Sequence, residues 1–267
     1  MKLIYSSVVF VCGLSACQSG GVKATEFPTL FQSDQAAAED IMNSAHQAAG
    51  GDVWSRPKSL SMSGYGVFYK DGQATRHETH NMWRVYAQEK SDAHKVDGKV
   101  RIESIRDGIP IINLSYDGEY TYTQAGQQPK SENDNQWSSN FGFGVIRHAL
   151  DDGYILSRMA DDLIDGRPAY MIDVQDPVGG HTLFGIAQDD FAILKVAFDT
   201  PRGWHERIYS DFYSNDGDSW VQPGRVRLYY GGLKANEVIW ESYRINDDLQ
   251  DCLFQLPEAD NCRRSEQ

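Results

Sequence analysis

Beyond residue 14 the chain has no hydrophobic run approaching the ~20 residues that a membrane-spanning helix needs, so no internal transmembrane segment is expected. Positive charge is scarce. Lys and Arg number 25 against 38 Asp and Glu, a formal net charge of −13, which repels a phosphate-rich partner over most of the surface and argues against nucleic-acid binding. Cysteine is rare, four in 267 residues, and no Cys-x-x-Cys redox spacing occurs. Gly-x-Ser-x-Gly elbows, Walker loops and dinucleotide fingerprints are missing, so no cofactor and no catalytic residue are assigned. No repeat at a fixed period and no low-complexity tract is present.

The first residues carry the clearest signal. Lys2 supplies a positive start and residues 3–14 (LIYSSVVFVCGL) an apolar stretch of about a dozen, the length of a secretory signal. The four residues that follow on its end, Leu14-Ser15-Ala16-Cys17, resemble the bacterial lipobox. That resemblance implies cleavage before Cys17, lipidation of Cys17 and anchoring of the mature chain, since two or more acyl chains give stable attachment where one is marginal. Gln18 stands where an inner-membrane retention signal would have Asp, which implies the periplasmic face of the outer membrane. The organisation predicted is a signal peptide (1–16), a lipidated tether (17–33), a β domain (34–257) and a C-terminal tail (258–267).

With Cys12 removed and Cys17 lipidated, Cys252 and Cys262 remain in an oxidising compartment and are predicted to pair. The closed loop is short and worth about 2–3 kcal/mol in the chain-entropy picture. A metal pair is the alternative, but no His or Cys lies nearby to complete it.

An N-cap candidate at Ser33 or Asp34, an Ala-rich interior and Gly50-Gly51 predict one helix, with Ile41, Ala45 and Ala48 as its apolar stripe. From there hairpin punctuation dominates. Asp-Gly recurs at 71–72, 97–98, 107–108, 117–118, 152–153, 165–166 and 216–217, with Gly-Gly at 179–180 and 231–232. Between the turns apolar residues alternate. Tyr170, Ile172 and Val174 share one strand face, as do Ala192, Leu194, Val196 and Phe198, and as do Val226, Leu228 and Tyr230 opposite Arg225 and Arg227. A polar loop (125–136) and a short helix within 141–150 interrupt the meander.

Candidate chemistry is thin. His77 and His80 do not form His-Glu-x-x-His, and strict alternation puts them on opposite faces, so no metal is assigned. The paired acids Asp151-Asp152, Asp161-Asp162, Asp189-Asp190 and Asp247-Asp248 sit beside turns, where solvated side chains are the plainer reading. The turn holding Asn215, Asp216 and Asp218 is too short for a calcium loop. Trp83, Trp204, Trp220 and Trp240 suit either a cavity wall or ordinary sheet packing.

The segments AAGGDVW, YDGEYTY, GRPAYMIDV and GRVRLYYGG, with the closing Ile245, Asn246, Phe254 and Pro257, are similar to the LolA/LolB-like periplasmic lipoprotein carriers. The resemblance implies a mainly β fold, an antiparallel meander of about eleven strands curled into a half-barrel with one or two covering helices. It also implies an apolar cavity that receives acyl chains. On the strand pattern, that cavity's candidate lining is Leu60, Met62, Phe68, Trp83, Tyr170, Ile172, Val174, Leu194, Val196, Phe198, Ile208, Phe212, Val226, Leu228, Tyr230 and Trp240. Partners implied are the membrane through Cys17, a lipid or acylated ligand, and an envelope protein. A protein-interaction module whose concavity is filled by its own side chains, and a hydrolase, are the competing readings.

Overall fold

The computed structural model describes residues 27–86, 98–130, 134, 144–200, 202–257 and 262. The lipobox and the tether as far as residue 26 lie outside them. Thirteen strands form one antiparallel sheet that does not close into a barrel, in the order β6-β5-β4-β3-β2-β1-β13-β12-β11-β10-β9-β8-β7. The short edge pair β5 (Thr121–Thr123) and β6 (Gly126–Gln127) takes the count past the expected eleven, and β6 falls inside the segment read as a polar loop.

The order explains how the sheet is covered. β1 (Ser59–Lys70) pairs with the last strand, β13 (Leu233–Ile245), so the two ends of the meander meet in the middle. The sheet's outer edges are then β6 and β7 (Ile155–Ile164), consecutive in sequence but far apart across the sheet. The chain between them must travel from edge to edge, and it carries the short helix Gly144–His148, here α3. The hairpins follow the punctuation. Asp71-Gly72, Asp107-Gly108 and Asp165-Gly166 all have positive φ at both residues, as tight turns matched to the sheet's twist require.

Helix α1 (Phe27–Ala49) begins ahead of both predicted caps, Ser33 and Asp34, with Pro28 in its first turn, where a missing N–H costs no bond. Of the predicted stripe Ala45 has no exposure, as have Ala38 and Met42, whereas Ile41 and Ala48 are half-buried. Together with Trp54 of α2 (Asp52–Ser55) and Val145 and Ile146 of α3, Ala38, Met42 and Ala45 pack on Leu60, Met62, Ile172, Val174, Phe184, Ile186, Val196, Val238 and Tyr243 of the sheet, the main core. We call that side of the sheet the inner face.

The outer face carries ion pairs, a strap and a second, smaller apolar cluster. Lys195 pairs with Glu206 at 2.5 Å, Arg227 with Asp165, and Arg225 and Lys234 with Glu237. Over β3 (Lys99–Arg106) and β4 (Ile109–Tyr116) lies the 3-10 turn Asp251–Phe254. There the fully buried Arg101 donates to Leu253 O, Glu103 Oε2 and Asn113 Oδ1, and Ser115 Oγ donates to Phe254 O at 2.8 Å. Cys252 and Cys262 form the predicted disulfide, with Cα atoms 6.1 Å apart.

Candidate functional site

Strand pairing decides which predicted lining residues face the helices. Leu60, Met62, Tyr170, Ile172, Val174, Val196, Phe198, Phe212, Val226 and Trp240 belong to the main core or pack against it. Leu228 and Tyr230 continue the face of Val226 along β12 (Gln222–Tyr230), opposite Arg207 and His205. Phe68 also faces inward: its ring folds back over Gly66, where a Cβ would lie 2.7 Å from it, and stacks on His77 at 4.3 Å.

Three candidates face the other way. Trp83 pairs with Ser61 and Arg101, and its indole lies 5.7 Å from the Arg101 guanidinium on the outer face. Ile208 on β11 (Gly203–Tyr213) pairs with Lys195 and Arg227, also outside. Leu194 leaves the face of Val196 because a register shift between Ile193 and Lys195 interrupts β10 (Ile193–Thr200). It packs instead with Ile164, Ala169, Met171 and Ala187 in a second cluster.

A similar bulge corrects the placement of the histidines. Gly64 pairs with His80 and Gly66 with His77, so one β1 residue opposes two on β2 (Gln73–Val85), and both imidazoles come to the inner face. Both contact Phe68, and His80 lies 5.3 Å from the ring of Trp240. His77 Nδ1 is 2.7 Å from Ser104 Oγ. Burial pushes His80 down to about 4 and lowers His77 as well, so both are neutral at physiological pH. No carboxylate bonds either ring among the contacts described, and His148 and His181 pair with Asp151 and Asp173 elsewhere. Among the described residues no group of three or more His, Cys, Asp or Glu comes together.

A cleft of about 220 Å³ opens at the C-terminal end of α1. Ala48 and Ala49 form one wall and Trp54 another; Ala192, Ile193 and Phe212 line the sheet side, and Val221 and Pro223 close it. Asp190 is the one charged residue in the lining. Of the predicted lining residues only Phe212 is here. Of the others that face inward, Leu60, Met62, Ile172, Val174, Val196, Phe198 and Trp240 are buried in the main core, whereas Phe68, Tyr170, Val226, Leu228 and Tyr230 are half-buried. The cleft's signal in the sequence was the Ala-Ala-Gly-Gly end of the helix: small side chains leave room. Gly50, with φ 135°, lets the backbone come so near the β11–β12 loop that a Cβ would lie 2.8 Å from Ser219 O. Val221 N–H donates to Ala49 O at 2.9 Å and fixes that approach.

Arg147 props the back of this region. Buried, it donates Nε–H to Trp54 O at 2.9 Å, and its guanidinium lies 4.7 Å from the Trp54 ring and 4.9 Å from that of Tyr86. A buried cation against aromatic faces is held by their quadrupoles, which fixes the Trp54 wall.

No protein-family model and no curated protein sequence matches the chain. Among solved structures it is similar to a DUF1329 family protein from Desulfovibrio piger, with a TM-score of 0.52 at 12% identity over 84% of this chain and 98% of that one. A LolA superfamily protein from Nitrosomonas europaea aligns with a TM-score of 0.48 at 12% identity over 81% and 96% of the two chains. At such identity the likeness to the DUF1329 structure is one of fold. Among the described residues no helix is long and apolar enough to cross a membrane.

Proposed function

We propose that this is a lipid-anchored protein of the periplasmic face of the outer membrane that binds a lipid or acylated ligand through one apolar chain and makes or breaks no bond. The observation that carries the reading is the cleft: eight of its nine lining residues are apolar, and it opens beside the main core. Pockets for whole drug-sized ligands run to roughly 300–1,000 Å³, so about 220 Å³ takes the terminal part of a single chain. Burial there returns ~25 cal/mol per Å² of apolar surface, which favours holding a chain end over extracting several whole chains. The lipobox resemblance at Cys17 supports the anchor and Gln18 the outer membrane.

The test is lipid extraction and mass spectrometry of the full chain carrying Cys17→Ala, purified from the periplasm. One acyl-bearing species bound, and lost in Ala48→Phe, supports the reading; none bound in either overturns it. Retention of the Cys17→Ala chain in the membrane fraction would overturn the anchor separately.

A second reading, a protein-interaction module, is favoured by one feature. β7 is a terminal strand of the sheet, and its Ile155 and Met159 are 49% and 50% exposed. In-cell crosslinking from position 157 on that edge should trap a stoichiometric protein if this reading is the right one.

A further inference from the structure

We infer that the cleft selects its ligand by charge, admitting an apolar chain whose exposed end is uncharged or cationic and rejecting one that ends in a carboxylate or phosphate. This rests on the apolar-cleft reading above and adds the class of ligand to it.

The inference comes from what stands at the opening. Eight lining residues carry no charge, so a chain entering tail first leaves its polar end beside the ninth, Asp190, which is exposed and therefore at the solvent side. Asp190 is held in place from two directions: its Oδ1 accepts from Arg167 Nη2 at 2.7 Å and from the Ala192 N–H at 3.0 Å. The same Arg167 nitrogen also donates to Asp189 Oδ1 at 2.5 Å. Two carboxylates thus share one guanidinium, and the group keeps a net negative charge. Arg167 is committed to both acids and does not line the cleft. The buried cation Arg147 is directed to the Trp54 carbonyl and to aromatic rings and is not in the lining either. An anionic end group would meet repulsion from Asp190, whereas an ammonium or an amide N–H would meet an acceptor.

The experiment uses the full chain with Cys17→Ala and three single-chain amphiphiles with the same brominated alkyl tail, ending in trimethylammonium, an uncharged amide or a carboxylate. Bromine quenches Trp54 only when the tail is in the cleft, and a Trp54→Phe chain supplies the background. The uncharged and cationic amphiphiles should quench at concentrations about tenfold lower than the carboxylate. Asp190→Asn should close most of that gap, and raising the salt should narrow it in the chain that keeps Asp190. Equal affinity for all three, or tightest binding of the carboxylate, overturns the inference while leaving the apolar cleft standing. Failure of all three to quench overturns the cleft reading and the inference together.

Discussion

His46 on α1 donates its Nε2–H to the carbonyl oxygen of Ile146 on α3, 2.5 Å away and 100 positions along the chain. The bond joins the helix that precedes the sheet to the helix on the connection between its two edge strands. Burial is the main cause that lowers the His46 pKa, and the bond to Ile146 acts against it. The ring lies 5.4 Å from that of Trp54, so the contact also supports a wall of the cleft.

Replacing His46 with Ala removes the donor, leaves a buried carbonyl unsatisfied and opens a small void. The expected loss of stability is about 2–4 kcal/mol in a denaturant titration. His46→Gln, which can keep a donor, should lose less than half of that. Equal losses in the two variants would mean that packing, not the hydrogen bond, does the joining.

The buried histidines make the fold acid-sensitive above the range where carboxylates titrate. His80 titrates at about 4 in the folded chain and near 6.5 when unfolded, because burial and then the neighbouring His77 disfavour its charged form. Its contribution is therefore complete above about pH 6.5, declines as the pH falls and is gone below about 4. It amounts to on the order of 3 kcal/mol. His205, 1% exposed and lowered to about 3 chiefly by burial, acts in the same direction. Stability measured by urea titration should fall between pH 6.5 and 4, and His80→Leu should flatten that slope even if it lowers the plateau.

Gly50 tolerates neither a side chain nor an ordinary backbone angle. An Ala there would place its Cβ 2.8 Å from Ser219 O at φ 135°. Gly50→Ala should destabilise the protein by about 2 kcal/mol or more, seen as a lower Tm. Because Ala49 and Val221 flank the cleft, the variant should also weaken binding of an apolar ligand. Gly72→Ala, at a turn with nothing within 4 Å of its Cβ, should affect stability only through its φ of 75° and leave binding unchanged.

Much of the fold was legible in local chemistry. Asp-Gly pairs marked the turns, alternation separated Val226, Leu228 and Tyr230 from Arg225 and Arg227, and Gly50-Gly51 ended the helix. Two of the errors came from bulges, which leave no mark in a period-two pattern. One extra residue brought His77 and His80 to the same face, and another moved Leu194 to the outer cluster. The cleft was less legible than the fold, because it depends on where the helices come to rest. Alternation finds the inner face but cannot say where α1, α2 and α3 will pack on it, or that a cleft will lie beside Ala48 and Ala49. Helix α1 started early for a related reason: capping residues such as Asp34 mark a favourable start without forbidding a longer helix packed against the sheet.

The central claim is that an apolar chain binds in the cleft at the end of α1, and its most direct test is an equilibrium titration. The full chain with Cys17→Ala is titrated with an uncharged environment-sensitive fluorescent alkyl compound, beside the same chain carrying Ala48→Trp. The account predicts one saturable site in the first and at least a tenfold loss of affinity in the second, with both chains unfolding at similar temperatures. Undiminished binding in the Ala48→Trp chain would contradict it.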